Sequence, residues 1–124
     1  YAAAGGDLIS LSFTSPGQSL DGMNFVAAVA FFPTGTMLNV LSLSGDPSGT
    51  GIWLPPATSF VFIDGLNNLV FTPVIGPGGY VHHSIMPPQL AGTGSSIGIQ
   101  AAVTAPNHNP FNIGLTNMAE FVVL

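Results

Sequence analysis

The sequence predicts an all-β domain, a two-sheet antiparallel β-sandwich of jelly-roll or immunoglobulin-like type with about eight strands. Three observations carry this expectation. The 124 residues include 16 Gly and 11 Pro, which fall at intervals and act as punctuation. The segments between them are short and rich in Val, Ile, Phe, Thr and Ser, and several alternate apolar with polar residues, the period of a strand with one buried face. No stretch shows a convincing helical period. The length fits one domain, expected over 7–124 behind a flexible lead at 1–6. No internal repeat of about 20 to 50 residues occurs, which argues against a propeller or solenoid.

The elements follow in order. In 7–14, Ile9, Leu11 and Phe13 alternate with Ser10, Ser12 and Thr14, and Pro16-Gly17 ends the strand. Residues 24–32 are apolar on both faces, which marks a central strand covered on both sides, with a short buried helix as the alternative that periodicity leaves open. The chain turns at Pro33-Thr34-Gly35. Alternation returns in 37–44, before a turn at 45–49, and a short segment at 51–54 stops at Pro55-Pro56. Segments 58–64 and 69–74 flank Gly65-Leu66-Asn67-Asn68, a four-residue hairpin connection. Gly76-Pro77-Gly78-Gly79 precedes a strand at 80–85. A long strand at 95–103 places Ile97, Ile99, Ala101 and Val103 on one face, and a Pro/Asn loop at 104–111 leads to 113–116 and a terminal strand at 118–124.

Composition narrows function. The chain has no Lys, no Arg and no Cys, and only five carboxylates, Asp7, Asp21, Asp46, Asp64 and Glu120, for a net charge of −5. Charged residues are 4%, against about 25% in ordinary soluble domains. Without cations the chain cannot neutralise phosphates, so nucleic acid is excluded as a partner, as is electrostatic docking on anionic lipid. Phosphoryl-transfer machinery and cysteine-based chemistry are excluded too. Apolar residues are 47%, but the longest apolar run, 25–32, is well short of the roughly 20 residues of a spanning helix, so no membrane insertion is expected. High hydrophobicity with low charge is the reverse of a disordered composition. The start, Tyr1-Ala2-Ala3-Ala4-Gly5-Gly6, has neither a basic region nor a long apolar one and is compatible with a mature terminus after cleavage.

The C-terminal half carries a set of short motifs: Gly76-Pro77-Gly78-Gly79; Pro87-Pro88-Gln89-Leu90-Ala91-Gly92; Ile99-Gln100-Ala101-Ala102-Val103; and Leu115-Thr116-Asn117-Met118-Ala119-Glu120-Phe121. Together they resemble an uncharacterised β-sandwich domain recurrent in secreted bacterial proteins, with Gly51-Ile52-Trp53-Leu54-Pro55 a looser match. The resemblance implies an extracellular module and brings no catalytic residues with it. In the last motif Ala119 is displaced by one residue from the family's pattern, which bears on the register of the final strand.

Each candidate for chemistry has a plainer reading beside it. His82 and His83 are neighbours in a strand and point to opposite faces, so they cannot share an ion without a bulge; a site pairing one of them with His108 and a carboxylate is the metal alternative to a surface or contact role. Asp7, Asp21, Asp46 and Asp64 flank turns, where Asx turns explain them; a calcium site would draw on Asp46 or Asp64. Glu120 alternates with apolar neighbours and is expected to face solvent. The serines lack the Gly-x-Ser-x-Gly setting of a nucleophile, and dispersed carboxylates suit no acid and base pair, so no catalytic residues, cofactor or metal are expected. Trp53 and Tyr80, with Tyr1, could stack on a sugar.

The expectation is therefore an extracellular or cell-surface, non-enzymatic structural subunit that binds copies of itself in a filament, sheath or surface layer. The alternative is a secreted carbohydrate-binding or adhesive module with a glycan partner. A charge-poor surface loses little on packing against its copies, and strand edges without Lys accept further strands. The terminal segments 7–14 and 118–124 are the expected joints, with Ile9, Leu11, Phe13, Phe121 and Val123 buried in a contact between subunits.

Overall fold

A computed structural model of the chain describes residues 1–39, 41–42, 51–55, 57–66, 73–107 and 112–124. Among these residues the protein is all-β, with ten strands and two 3₁₀ turns at Pro16–Gln18 and Pro88–Leu90. The strands are β1 (Ala2–Ala3), β2 (Leu8–Phe13), β3 (Phe25–Pro33), β4 (Leu41–Ser42), β5 (Gly51–Ile52), β6 (Ser59–Asp64), β7 (Tyr80–Ile85), β8 (Ser95–Thr104), β9 (Ile113–Leu115) and β10 (Ala119–Val123).

The main sheet runs in the order β1-β10-β8-β3-β6, with β9 on β8 beside β10. Its centre is the antiparallel pair β3–β8, in register from Phe25 opposite Val103 to Pro33 opposite Ser95. β3 is apolar on two faces, and β8 is apolar on one and carries buried Ser96 and Gln100 on the other. On β3, Phe25, Ala27 and Val29 join Ile97, Ile99, Ala101 and Val103 of β8 in one buried cluster, while Ala30 and Phe32 point the other way and pack with Leu54.

The first of these faces is covered by β2 and β7, which form a separate antiparallel ribbon, Leu8 opposite Ile85 through Phe13 opposite Tyr80. The alternation in β2 buries Leu11 and Phe13 and exposes Ser10 and Ser12. Phe13, Phe25 and Tyr80 meet ring to ring at 5.3 and 5.1 Å and so tie β2, β3 and β7 together. Each such pair adds about 0.5–1.5 kcal/mol beyond the area it buries.

Several expectations change in detail. Where two sheets of about four strands are expected, the described strands divide into a broad main sheet and a two-stranded ribbon, with β4–β5 as a further short pair. The strand expected at 37–44 is reduced, within the described residues, to Leu41–Ser42. A turn closed by Thr36 N–H on Pro33 O holds the chain before it, and Met37 stands 92% exposed. The expected lead at 1–6 contains β1, which runs parallel to β10, with Val122 N–H donating to Tyr1 O and Leu124 N–H to Ala3 O. Residues 43–50, 67–72 and 108–111 lie outside the described set, and with them the turn at 45–49 and most of the strand expected at 69–74; Val74 itself bridges Asn24.

Between β9 and β10 the chain carries one residue more than the stretch of β8 it faces. Leu115 is opposite Ala102 but Ala119 is opposite Ile99, so Thr116, Asn117 and Met118 face only Ala101 and Gln100. The extra residue is a β-bulge. It lets Met118 pack with Phe32 and Leu54 on the far face while Phe121 and Val123 stay with the main cluster.

Candidate interaction surface

The ladder between β2 and β7 sorts its side chains by face. The inward set is Ile9, Leu11 and Phe13 with Tyr80, His82 and Ser84; the outward set is Leu8, Ser10 and Ser12 with Val81, His83 and Ile85. At the end of the ladder Met86 N–H donates to Asp7 O at 2.8 Å. Antiparallel alternation then makes 9/84, 11/82 and 13/80 the hydrogen-bonded pairs, and 8/85, 10/83 and 12/81 the close pairs whose side chains lie nearest each other. Accordingly Ser10 Oγ and His83 Nδ1 are 2.9 Å apart. This contact across the strands joins positions 73 residues apart, and no local motif announces it.

The two neighbouring histidines do separate, as strand geometry requires. His83 faces outward on Ser10, whereas His82 turns inward and meets the Phe62 ring edge-on at 5.4 Å. His108 and Asp46 lie outside the described residues. Among the described residues no three His, Asp or Glu side chains come together as metal ligands. Asp64 Oδ1 accepts from Leu66 N–H in an Asx turn, and Asp7 Oδ2 accepts from Ala4 N–H, so both carboxylates serve the backbone. Glu120 is half-buried beside β1.

The outward face of the ribbon carries no Asp, Glu, Lys or Arg. Leu8, Val81 and Ile85 are 69%, 51% and 62% exposed there and flank the Ser10–His83 pair. The residues expected at joints divide: Leu11, Phe13 and Val123 are buried in the core of their own chain, and Ile9 and Phe121 are half-buried at its margin.

A groove runs along the outer edge of β2. Two adjoining cavities of about 460 and 570 Å³ share Phe13, Thr14, Thr116 and Asn117, with Ile99 and Ala101 on the floor. No charged side chain lines either cavity. On the opposite side, beside β7, a smaller apolar cleft of about 190 Å³ opens between Ile85, Phe31 and Phe60, the two rings stacked at 5.7 Å.

Trp53 and Tyr80, the candidate sugar-stacking pair, are not brought together. Tyr80 packs edge-on against buried Phe25 on the ribbon side of the main sheet. Trp53 is 36% exposed, and its backbone N–H donates to Gln100 Oε1. Gln100 alternates with Ile99 and Ala101 on β8 and so points to the other face. Buried in the sheet, its amide nitrogen also donates to Gly51 O and Thr116 O, at 2.8 and 2.9 Å. This one side chain ties β5 and the bulge to β8. Sequence reading placed Gln100 in a motif but gave it no role, because none of its partners is a neighbour in the chain.

No helix among the described residues is long and apolar enough to cross a membrane. No family model matches the chain, and comparison with curated proteins and with solved structures found no significant match.

Proposed function

We propose that this chain is an extracellular, non-enzymatic structural subunit that self-assembles into a filament, sheath or surface layer, built as a lopsided β-sandwich of jelly-roll or immunoglobulin-like character. One observation carries the reading: the outward face of β2–β7 pairs exposed Leu8, Val81 and Ile85 with the hydroxyls of Ser10 and Ser12 and the imidazole of His83, with no carboxylate, Lys or Arg among them. Surfaces of this kind lose little hydration on meeting a copy, and no Lys or Arg side chain redirects the contact. The resemblance of the C-terminal motifs to a domain of secreted bacterial proteins points to the same setting.

Sedimentation velocity across a concentration series, with electron microscopy of the sedimenting material, tests the proposal. Ordered polymers or layers are the expected result. A monodisperse monomer at high concentration in physiological buffer refutes it.

A further inference from the structure

We infer that the groove beside β2 receives one extended, uncharged strand from a second copy of this chain, which pairs with the outer edge of β2. The inference rests on the self-assembly reading and names its joint. β2 pairs with β7 on one side, and among the described residues no strand pairs with the other. By the alternation fixed at Asp7 and Met86, the N–H and C=O groups of Ser10 and Ser12 point to that open side. A row of such groups is a template for strand addition.

The groove says what kind of strand fits. Its walls are β2 on one side and Thr116, Asn117, Ala119 and Phe121 on the other, with Tyr1 at one end. Because β10 and β1 continue the main sheet beside the groove, a whole sheet edge cannot approach β2, whereas a single strand can. The apolar floor at Ile99, Ala101 and Val103 suits alternating apolar side chains, and Ser10, Ser12, Thr116 and Asn117 suit neutral polar ones. A charged segment would lose its hydration with no charged side chain of the groove to meet, so the occupant is neutral, as most of this chain is.

The area is sufficient. A five-residue strand is about 17 Å long. Enclosed on three sides of roughly 10 Å each, it hides about 500 Å² of its own surface and as much of the groove, about 1,000 Å² in all, the lower bound for specific association. The cleft beside β7, at about 190 Å³, is too small for the same role.

Hydrogen–deuterium exchange tests the joint in the intact chain. Amides in 8–14 are expected to exchange at least about tenfold more slowly in the assembled state than in dilute monomer. Ser12→Pro, which removes an edge N–H while leaving the β7 ladder intact, is expected to weaken association by about tenfold or more. Should that variant misfold by circular dichroism, Asn117→Lys on the exposed groove wall provides the same test. Assembly without added protection in 8–14, or with wild-type affinity in the folded variants, overturns the joint while leaving self-assembly standing. A chain that stays monomeric overturns both.

Discussion

Replacing Gln100 with Leu removes three hydrogen bonds at nearly constant volume, and its cost can be worked from the geometry. Nε2 donates to Gly51 O at 2.8 Å and to Thr116 O at 2.9 Å, and Oε1 accepts from Trp53 N–H at 3.0 Å. The Gly51 bond is buried, so its orphaned carbonyl bears the full desolvation cost of about 1–3 kcal/mol. The other two bonds are partly buried; water can reach their partners, and each costs about 1 kcal/mol. The sum is about 3–5 kcal/mol, a large fraction of the 5–15 kcal/mol that holds a domain together. For a chain of this length that is a fall in Tm of roughly 10–20 °C. Urea unfolding of dilute protein, followed by circular dichroism and by Trp53, measures it. The emission of Trp53, the one tryptophan, is expected to shift red before global unfolding, because β5 loses its tie to β8. A loss below about 1 kcal/mol refutes the claim that Gln100 pins β5 and the bulge.

Two glycines give a contrasting pair. A Cβ on Gly65 would collide with Phe25 O and lie 2.8 Å from Pro73 O, both backbone, so Gly65→Ala is expected to cost at least about 2 kcal/mol. Gly78→Ala meets nothing within 4 Å and is expected to leave stability within about 1 kcal/mol of wild type; equal effects in thermal melts would refute the distinction. Raising salt from about 0.1 to 1 M shortens the screening length from about 10 to 3 Å. Assemblies of copies carrying −5 should therefore hold or strengthen in sedimentation assays, and dissolution by NaCl would contradict apolar contacts. If the chain is instead a glycan binder, Trp53→Ala abolishes binding on a glycan array and sugars quench Trp53 emission; no response from wild type removes that reading.

Much of the local structure was legible in the sequence. The alternation of Ile9, Leu11 and Phe13 with serines gave β2, and the doubly apolar run at 25–32 gave β3 as a central strand. Pairing was not legible, because it is decided by contacts far apart in the chain. Nothing near Ala2 and Ala3 indicates that they run parallel to Val122 and Val123. The bulges are equally silent: Phe62 is the extra residue where β6 shifts register on β3, and its ring occupies the space beside His82. Of the strand expected at 37–44, Leu41–Ser42 is a strand and 40, 43 and 44 lie outside the described residues. The candidate surface was half legible. Its neutrality follows from composition, but the Ser10–His83 contact and the open edge of β2 exist only once the register with β7 is set.

A chain without Lys or Arg lacks the usual guards against indiscriminate edge pairing, and the described edges show other guards in their place. At one side of the main sheet β1 is two residues long, too short to template much pairing. At the other side β6 carries the Phe62 bulge, which breaks the flat run of donors and acceptors. The far edge of β7 pairs with no strand among the described residues, but it borders only the smaller cleft. β2 has the same unbroken six-residue length as β7 but differs in that its open side lies against the larger groove, which no charged side chain lines. Of the two long edges among the described residues, β2 and β7, only β2 borders a groove large enough for an added strand, which favours a single geometry of addition. If the added strand comes from a copy whose own β2 stays open, each joint leaves the next acceptor free. The contact is then heterologous and does not close on itself, so the same arrangement that limits random aggregation leads to an extended polymer.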